Sequence, residues 1–268
     1  MALRKFLLLP QLIWYGVRAP RDQAAAWDRF WGGIRRTGPG GEVLWDAASE
    51  EELGEVLARV RKHMDKGLPV VDVGCGNGRF SRLLADHFPR VLGVDVSPRA
   101  VERAKEESAG RDNIAYRVLD IASPGVGQTL GAELGEVNVF MRGVFHVFEP
   151  AQRRSAVESL RAMMGSRGTL YFAETNYEGD PLDQLVAQGA TPTSMPDPLR
   201  RCIEAGIKPP RHCGDAELRE LFPGADWEVL ESGPMTMRGV PLTAKAEFEP
   251  IPSFYALVRP RAVSPRPR

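Results

Sequence analysis

The run Val70-Val71-Asp72-Val73-Gly74-Cys75-Gly76-Asn77-Gly78-Arg79-Phe80 constrains this chain more than any other stretch. A short apolar segment holding an acid, Asp72, is followed by three glycines at every second position. Such a run reads as a buried parallel strand that turns sharply into a helix beginning near Phe80. Glycines in the turn let the backbone come close to a ligand, because no Cβ intervenes. The dinucleotide fingerprint would place its third glycine three residues after the second, and that position is Arg79. A nicotinamide-dependent oxidoreductase is disfavoured on that spacing.

Residues 90–97 form a second apolar strand ending in an acid, Asp95, which lies 21 residues after Gly74. In a nucleotide-binding α/β unit, an acid about 20 residues beyond the glycine turn accepts hydrogen bonds from ribose hydroxyls. Ser97 as N-cap and Pro98 at the first helical position open the next helix. Residues 113–121 are a third strand with the acid Asp120 near its end. Residues 50–66 read as an amphipathic helix, with Leu53, Val56, Leu57 and Val60 on one face and charge elsewhere. Residues 136–141 and 168–173 are a fourth and a fifth strand, with a helix over 151–164 between them. Strand and helix alternate, the pattern of an α/β, doubly wound parallel sheet. Of the 22 prolines, 14 lie between Pro181 and Pro267, so residues 175–215 cannot be one long helix and are expected to be loop-rich. Two final strands are expected at 227–232 and 253–258.

With Asp72 ahead of it and Asp95 behind, Gly74-x-Gly76-x-Gly78 resembles motif I of the class I S-adenosylmethionine (SAM) dependent methyltransferases, of the small-molecule type. The resemblance implies a seven-stranded, mostly parallel sheet with a reversed C-terminal hairpin, an N-terminal helical lid and a Pro-rich insertion after the fifth strand. It implies SAM as cofactor and S-adenosylhomocysteine (SAH) as product. Asp72, Gly74, Cys75, Gly76 and Gly78 would surround the amino-acid end of the cofactor, Asp95 and Val96 the ribose, and Asp120 and Ile121 the adenine, with Met141 close by. The implied reaction is methyl transfer to an oxygen, nitrogen or carbon of a small organic molecule, secondary metabolites included. Protein or RNA methylation, and SAM binding without catalysis, stand as alternatives.

The chemistry is expected at residues 139–148, the end of the fourth strand and the turn after it, since ligands bind outside the carboxyl ends of such strands. Related small-molecule methyltransferases often carry a His-containing turn here, resembling Phe145-His146-Val147-Phe148. The Asn/Asp-Pro-Pro-Tyr/Phe turn of enzymes that methylate adenine or glutamine is missing. His146 is a candidate general base, because neutral imidazole takes up a proton near neutral pH, or else a brace for the loop. Arg142 could grip a substrate carboxylate or phosphate as a bidentate fork, or pair with Asp120 or Glu174. Glu174, at the tip of the fifth strand, is a further candidate base or cation partner, or else a solvated loop acid.

Lys+Arg and Asp+Glu both total 35, so nothing in the charge argues for a nucleic-acid partner. Three cysteines, one inside the glycine turn, suggest a reducing cytosol. No metal is expected, since Cys202, His212 and Cys213 lack paired ligand spacing. Residues 1–48 are expected to be a helical arm or lid rich in aromatics (Trp27, Phe30, Trp31, Trp45), 49–260 the methyltransferase core, and 261–268 a disordered tail. Residues 1–15 superficially resemble a signal peptide but are broken by Pro10 and Gln11. They are expected to form a short helix on the core or over the pocket, with weak membrane association as the other reading. No run reaches the ~18 apolar residues of a membrane span. The expected partner is a small methyl acceptor, and a homodimer is left open.

Overall fold

The structure, a computed structural model, describes residues 4–242 and 246–261. Its strands are β1 (Val70–Val73), β2 (Val91–Asp95), β3 (Ile114–Val118), β4 (Asn138–Arg142), β5 (Leu170–Thr175), β6 (Trp227–Gly239) and β7 (Glu249–Pro260). They form one sheet in the order β3-β2-β1-β4-β5-β7-β6. The first five run parallel, and β7 is antiparallel to both β5 and β6. The seven-stranded, mostly parallel sheet with a reversed hairpin is the architecture that the resemblance implied.

The helices are α1 (Leu9–Gly16), α2 (Gln23–Gly32), α3 (Glu50–His63), α4 (Arg79–Ala85), α5 (Pro98–Glu107), α6 (Val126–Leu134), α7 (Pro150–Met164), α8 (Pro181–Ala187), α9 (Asp197–Ala205) and α10 (Asp215–Leu221). Period-2 alternation divides the central strands between two cores. Val71, Val73, Val94, Met141 and Phe172 pack with Leu160 and Met163 of α7 on one face. Val70, Phe140, Tyr171 and Leu257 pack with Val56 and Val60 of α3 on the other. Ser97 caps α5 by accepting a hydrogen bond from the Ala100 amide, as its place before Pro98 predicts.

Four elements depart from the sequence reading. β3 ends at Val118, so Asp120 sits in the turn two residues beyond it. α6 was hidden by Gly127 and Gly131, which allow it to lie against α7; a Cβ on Gly127 would overlap the Ser159 backbone. The 175–215 segment is less loop-rich than expected, because Pro181 and Pro198 occupy the first turns of α8 and α9, where a missing N–H costs nothing. The hairpin strands run to Gly239 and from Glu249, well past the expected 227–232 and 253–258. Pro234 lies on the edge strand β6, while Pro250 and Pro252 lie beyond Ser253, where β5 ends and β7 has a free side. Of the expected tail, only Arg261 is among the described residues.

Candidate active site

The strand order reverses between β1 and β4, and a crevice opens outside their carboxyl ends. The glycine turn leaves β1 at this point, with Gly74, Gly76 and Gly78 in the left-handed region at φ 70°, 54° and 74°. At Gly76 the restriction is also steric, since a Cβ would stand 2.8 Å from the Trp31 ring. At Gly78, which caps α4, a Cβ would run into the Tyr116 hydroxyl. Asp95 braces the turn by accepting from the Gly76 amide at 3.0 Å and from the Ser97 amide at 2.9 Å. Arg79 donates to the carbonyls of Asp46 (2.9 Å) and Ala48 (2.7 Å), and Asn77 donates to the Asp46 carboxylate at 3.0 Å. The loop after α2 is thereby fastened over the turn.

Asp72 lies behind the turn, where it accepts a 2.5 Å hydrogen bond from Ser81 Oγ. Burial pushes its carboxyl up to about 7; the Ser81 bond opposes this and the Asp95 charge adds to it. An unfolded carboxyl titrates near ~3.9. Between those values the folded state keeps a proton that the unfolded state has lost, so this group's contribution to stability falls as pH rises from about 4 to about 7. Asp72→Asn is therefore expected to raise the melting temperature at pH 8 and to change it much less at pH 4. A scanning-calorimetry series across that range checks it, and a variant less stable than the parent at pH 8 contradicts it.

A cleft of about 340 Å³ lies over the turn. Gly74, Gly76, Asp95, Val96, Asp120 and Ile121 line it from the core, and Trp27, Trp31 and Trp45 from the N-terminal arm. The remaining cofactor candidates are placed elsewhere. Asp72 and Cys75 face a small recess behind the turn, Gly78 packs on Tyr116, and the Met141 side chain is fully buried in the core beneath the sheet. The three arm tryptophans both pack and line: Trp27 meets Trp45 edge-on at 5.5 Å, and Phe30 stacks on Trp45 at 5.3 Å.

A second cavity, about 480 Å³, adjoins the first and shares Trp27, Trp45, Arg142, Gly143, Val147 and Lys208 with it. Its remaining walls are mainly apolar, from Leu12 of α1, Leu182 and Leu185 of α8, Leu199 and Ile203 of α9, and Ile251 of β7. The cations on its wall are already paired, Arg142 with Glu52 and Lys208 with Glu149. Thr175 Oγ1, on the same wall, is buried and has no hydrogen-bond partner among the described residues.

Glu174 is neither exposed nor in the cleft. It is 0% accessible and sits under the short 3-10 turn Phe145–Val147 that follows β4. One carboxylate oxygen accepts from the amides of Val144 and Phe145, both at 2.9 Å. The other takes the His146 amide at 3.2 Å and His146 Nδ1 at 2.7 Å. With four donors converging on it the carboxylate accepts, so Nδ1 carries a hydrogen and Nε2 is the ring nitrogen that Glu174 does not engage. The readings of Glu174 as a base in the cleft and as a solvated loop acid are corrected by this burial. His146 lines the second cavity and not the first.

Arg142 is also placed differently from either expectation. Its guanidinium donates to Glu52 at 2.8 Å and to the Trp45 carbonyl at 2.9 Å, not to Asp120 or Glu174, and its Nε has no hydrogen-bond partner among the described residues. Glu52 is buried and accepts from the Arg238 amide as well. Sequence reasoning assigned Glu52 to the charged face of α3, yet it falls four residues before Val56 and eight before Val60, on the buried stripe itself.

The family described as "Methyltransferase domain" matches residues 70–168. The ubiquinone biosynthesis O-methyltransferase of Coxiella burnetii (strain Dugway 5J108-111) is 32% identical over 112 residues, which are 41% of this chain and 45% of that protein. Nodulation protein S of Rhizobium tropici is 29% identical over 102 residues, 38% of this chain and 41% of the relative. The chain thus spans less than half the length of these curated relatives. A solved SAM-dependent methyltransferase from Anabaena variabilis ATCC 29413 covers 91% of this chain and 97% of its own, with a TM-score of 0.78 at 29% identity. Residues 70–168 form a methyltransferase domain of the matched family. The matched segment holds every residue of the cleft wall beyond the N-terminal arm except Lys208, together with His146, whereas the α1, α8 and α9 walls of the second cavity fall outside it. Among the described residues no helix is long and apolar enough to cross a membrane.

Proposed function

We propose that this chain transfers the methyl group of SAM to an oxygen, nitrogen or carbon nucleophile of a small, uncharged and largely apolar molecule. The observation that carries this reading is the pair of adjoining cavities divided by the turn after β4, with His146 on the side away from the glycines. The cleft over the turn suits the cofactor: its backbone is bare where a Cβ would fill the space, it offers the carboxylates Asp95 and Asp120 as acceptors for hydroxyl and amino groups, and it has aromatic walls that attract a cation. Bound there, SAM supplies an electrophilic methyl on a sulfonium that becomes neutral as the methyl leaves.

The chain's own contribution is alignment, exclusion of water and proton removal. Asp95 and Val96 hold the ribose, Asp120 and Ile121 the adenine, and the backbone of Gly74 and Gly76 the amino-acid end. The apolar chamber holds the acceptor with its nucleophile toward the shared wall. Where that nucleophile is a hydroxyl or an ammonium, His146 Nε2 takes its proton, and Glu174 acts as a positioning residue through Nδ1. Thr175 Oγ1 offers the acceptor a hydrogen bond that no described residue uses. A polymer substrate fits less well, because the chamber is walled by α1, α8 and α9 on the side away from the cleft.

Calorimetric titration with SAM, SAH and NADH tests the reading. Micromolar binding of the first two and none of the third is expected, and NADH binding alone refutes it. Asp95→Ala should weaken SAM binding by about 1–3 kcal/mol, through lost charge-assisted hydrogen bonds. That corresponds to roughly 5- to 150-fold in Kd. Unchanged affinity would remove Asp95 from the cofactor site.

A further inference from the structure

α1 and the 3-10 turn before it (Arg4–Leu8) carry two apolar faces. On the inner one, Leu8 and Leu12 pack with Ala190, Met195 and Leu199, and Leu12 and Gly16 line the second cavity. On the outer one, Phe6, Leu7, Leu9, Ile13, Trp14 and Val17 are exposed, Ile13 by 67%, Trp14 by 77% and Val17 by 72%. Nine large hydrophobic side chains are exposed among the described residues, and six of them fall on this one segment, so the cluster is not ordinary scatter. Spacings of four between Leu9, Ile13 and Val17, and of seven between Leu7 and Trp14, set them along one side of the helix. A helix apolar on every side belongs in a covered environment.

Charge indicates what covers it. Residues 4–21 contain Arg4, Lys5, Arg18 and Arg21 and no acid, in a chain whose total charge is zero. Lys5 is paired with Asp180 and Asp183, while Arg18 and Arg21 are exposed at the end of the apolar stripe. A second copy fits poorly, since a two-fold pairing through this face would bring like cations together with no acid between them. A helix with an apolar face, an exposed Trp and flanking cations is suited to the headgroup region of a bilayer. We propose that α1 docks this protein on an anionic lipid surface, lying in the interface rather than spanning it. Docking there would bring the chamber roofed by the inner face within one helix diameter, about 10 Å, of the lipid. Delivery of an apolar acceptor from the bilayer would follow, and that last step alone rests on the acceptor reading above.

The test is co-sedimentation of the full chain with phosphatidylcholine vesicles prepared with and without phosphatidylserine. Strong sedimentation with the phosphatidylserine vesicles is expected, falling at least about tenfold for the double substitution Ile13→Glu/Trp14→Glu and several-fold for Arg18→Glu. SAH binding, measured in parallel by calorimetry, should be unchanged in both variants, which separates failure of docking from failure of the cofactor assignment or of folding. Absence of sedimentation with phosphatidylserine vesicles overturns the proposal, as does sedimentation that ignores the substitutions. A dimer in light scattering that Ile13→Glu/Trp14→Glu abolishes, without vesicle binding, would give the face to a second copy and overturn it equally.

Discussion

His146→Ala is expected to slow methyl transfer by roughly 10²- to 10⁴-fold for an acceptor that must lose a proton, the range for loss of a positioned general base. SAM affinity should stay within about twofold, because the ring lines the second cavity and not the cofactor cleft. Single-turnover rates with saturating SAM check the first part, and titration checks the second. Full activity in the variant would leave the imidazole with the task of bracing the turn. A fall in SAM affinity with unaltered turnover would place it on the wrong side of the shared wall. Geometry favours the base: Nδ1 is held by Glu174 at 2.7 Å, and among the described residues Nε2 has no hydrogen-bond partner.

Glu174→Ala is expected to be the more damaging change to the fold. Four donors now satisfied by one carboxylate, the amides of Val144, Phe145 and His146 and the His146 ring, would be stranded in a site without solvent. Each stranded donor costs about 1–3 kcal/mol in isolation, and relaxation of the turn would recover part, so a net loss of about 3–5 kcal/mol is expected. For a chain of this size the melting temperature should fall by roughly 6–20 °C. A loss below about 1 kcal/mol would mean that the turn finds other acceptors. Turnover should fall too, and the positioning role predicts where that fall disappears: introduced into His146→Ala, the milder Glu174→Gln should slow the reaction little further. Additive losses in that double variant would give Glu174 a role independent of the ring.

The parts of the fold legible in the sequence were those written in short-range pattern. Asp72 followed by alternating glycines, Asp95 at the tip of an apolar run, and Ser97-Pro98 before a helix each encode a local shape. Those segments became β1 and its turn, β2, and the start of α5. Less legible was whatever depended on partners distant in the chain. Glu52 looked like a surface acid until Arg142, 90 residues away, was found against it. Glu174 looked like a loop acid at a strand tip, because the three amides that claim it belong to a turn about 30 residues earlier. The full length of β7 was hidden in the same way: Pro252 can belong to it because β5 has already ended beside it. Met141 was drawn into the cofactor set by adjacency to its motifs, yet alternation along β4 turns its side chain toward the interior.

The turn from Gly143 to Val147 is the narrow strip where two sets of residues with separate origins in the chain meet. On one side stand the products of a contiguous stretch, the glycine turn and the tips of β2 and β3. On the other stand α1, α8 and α9, drawn from both ends of the sequence. A substitution at Leu185 or Ile203 reshapes the second cavity and touches none of the hydrogen bonds that brace Gly76. Under the proposed function, a lineage built on this plan is free to change what it alkylates while inheriting its methyl donor intact.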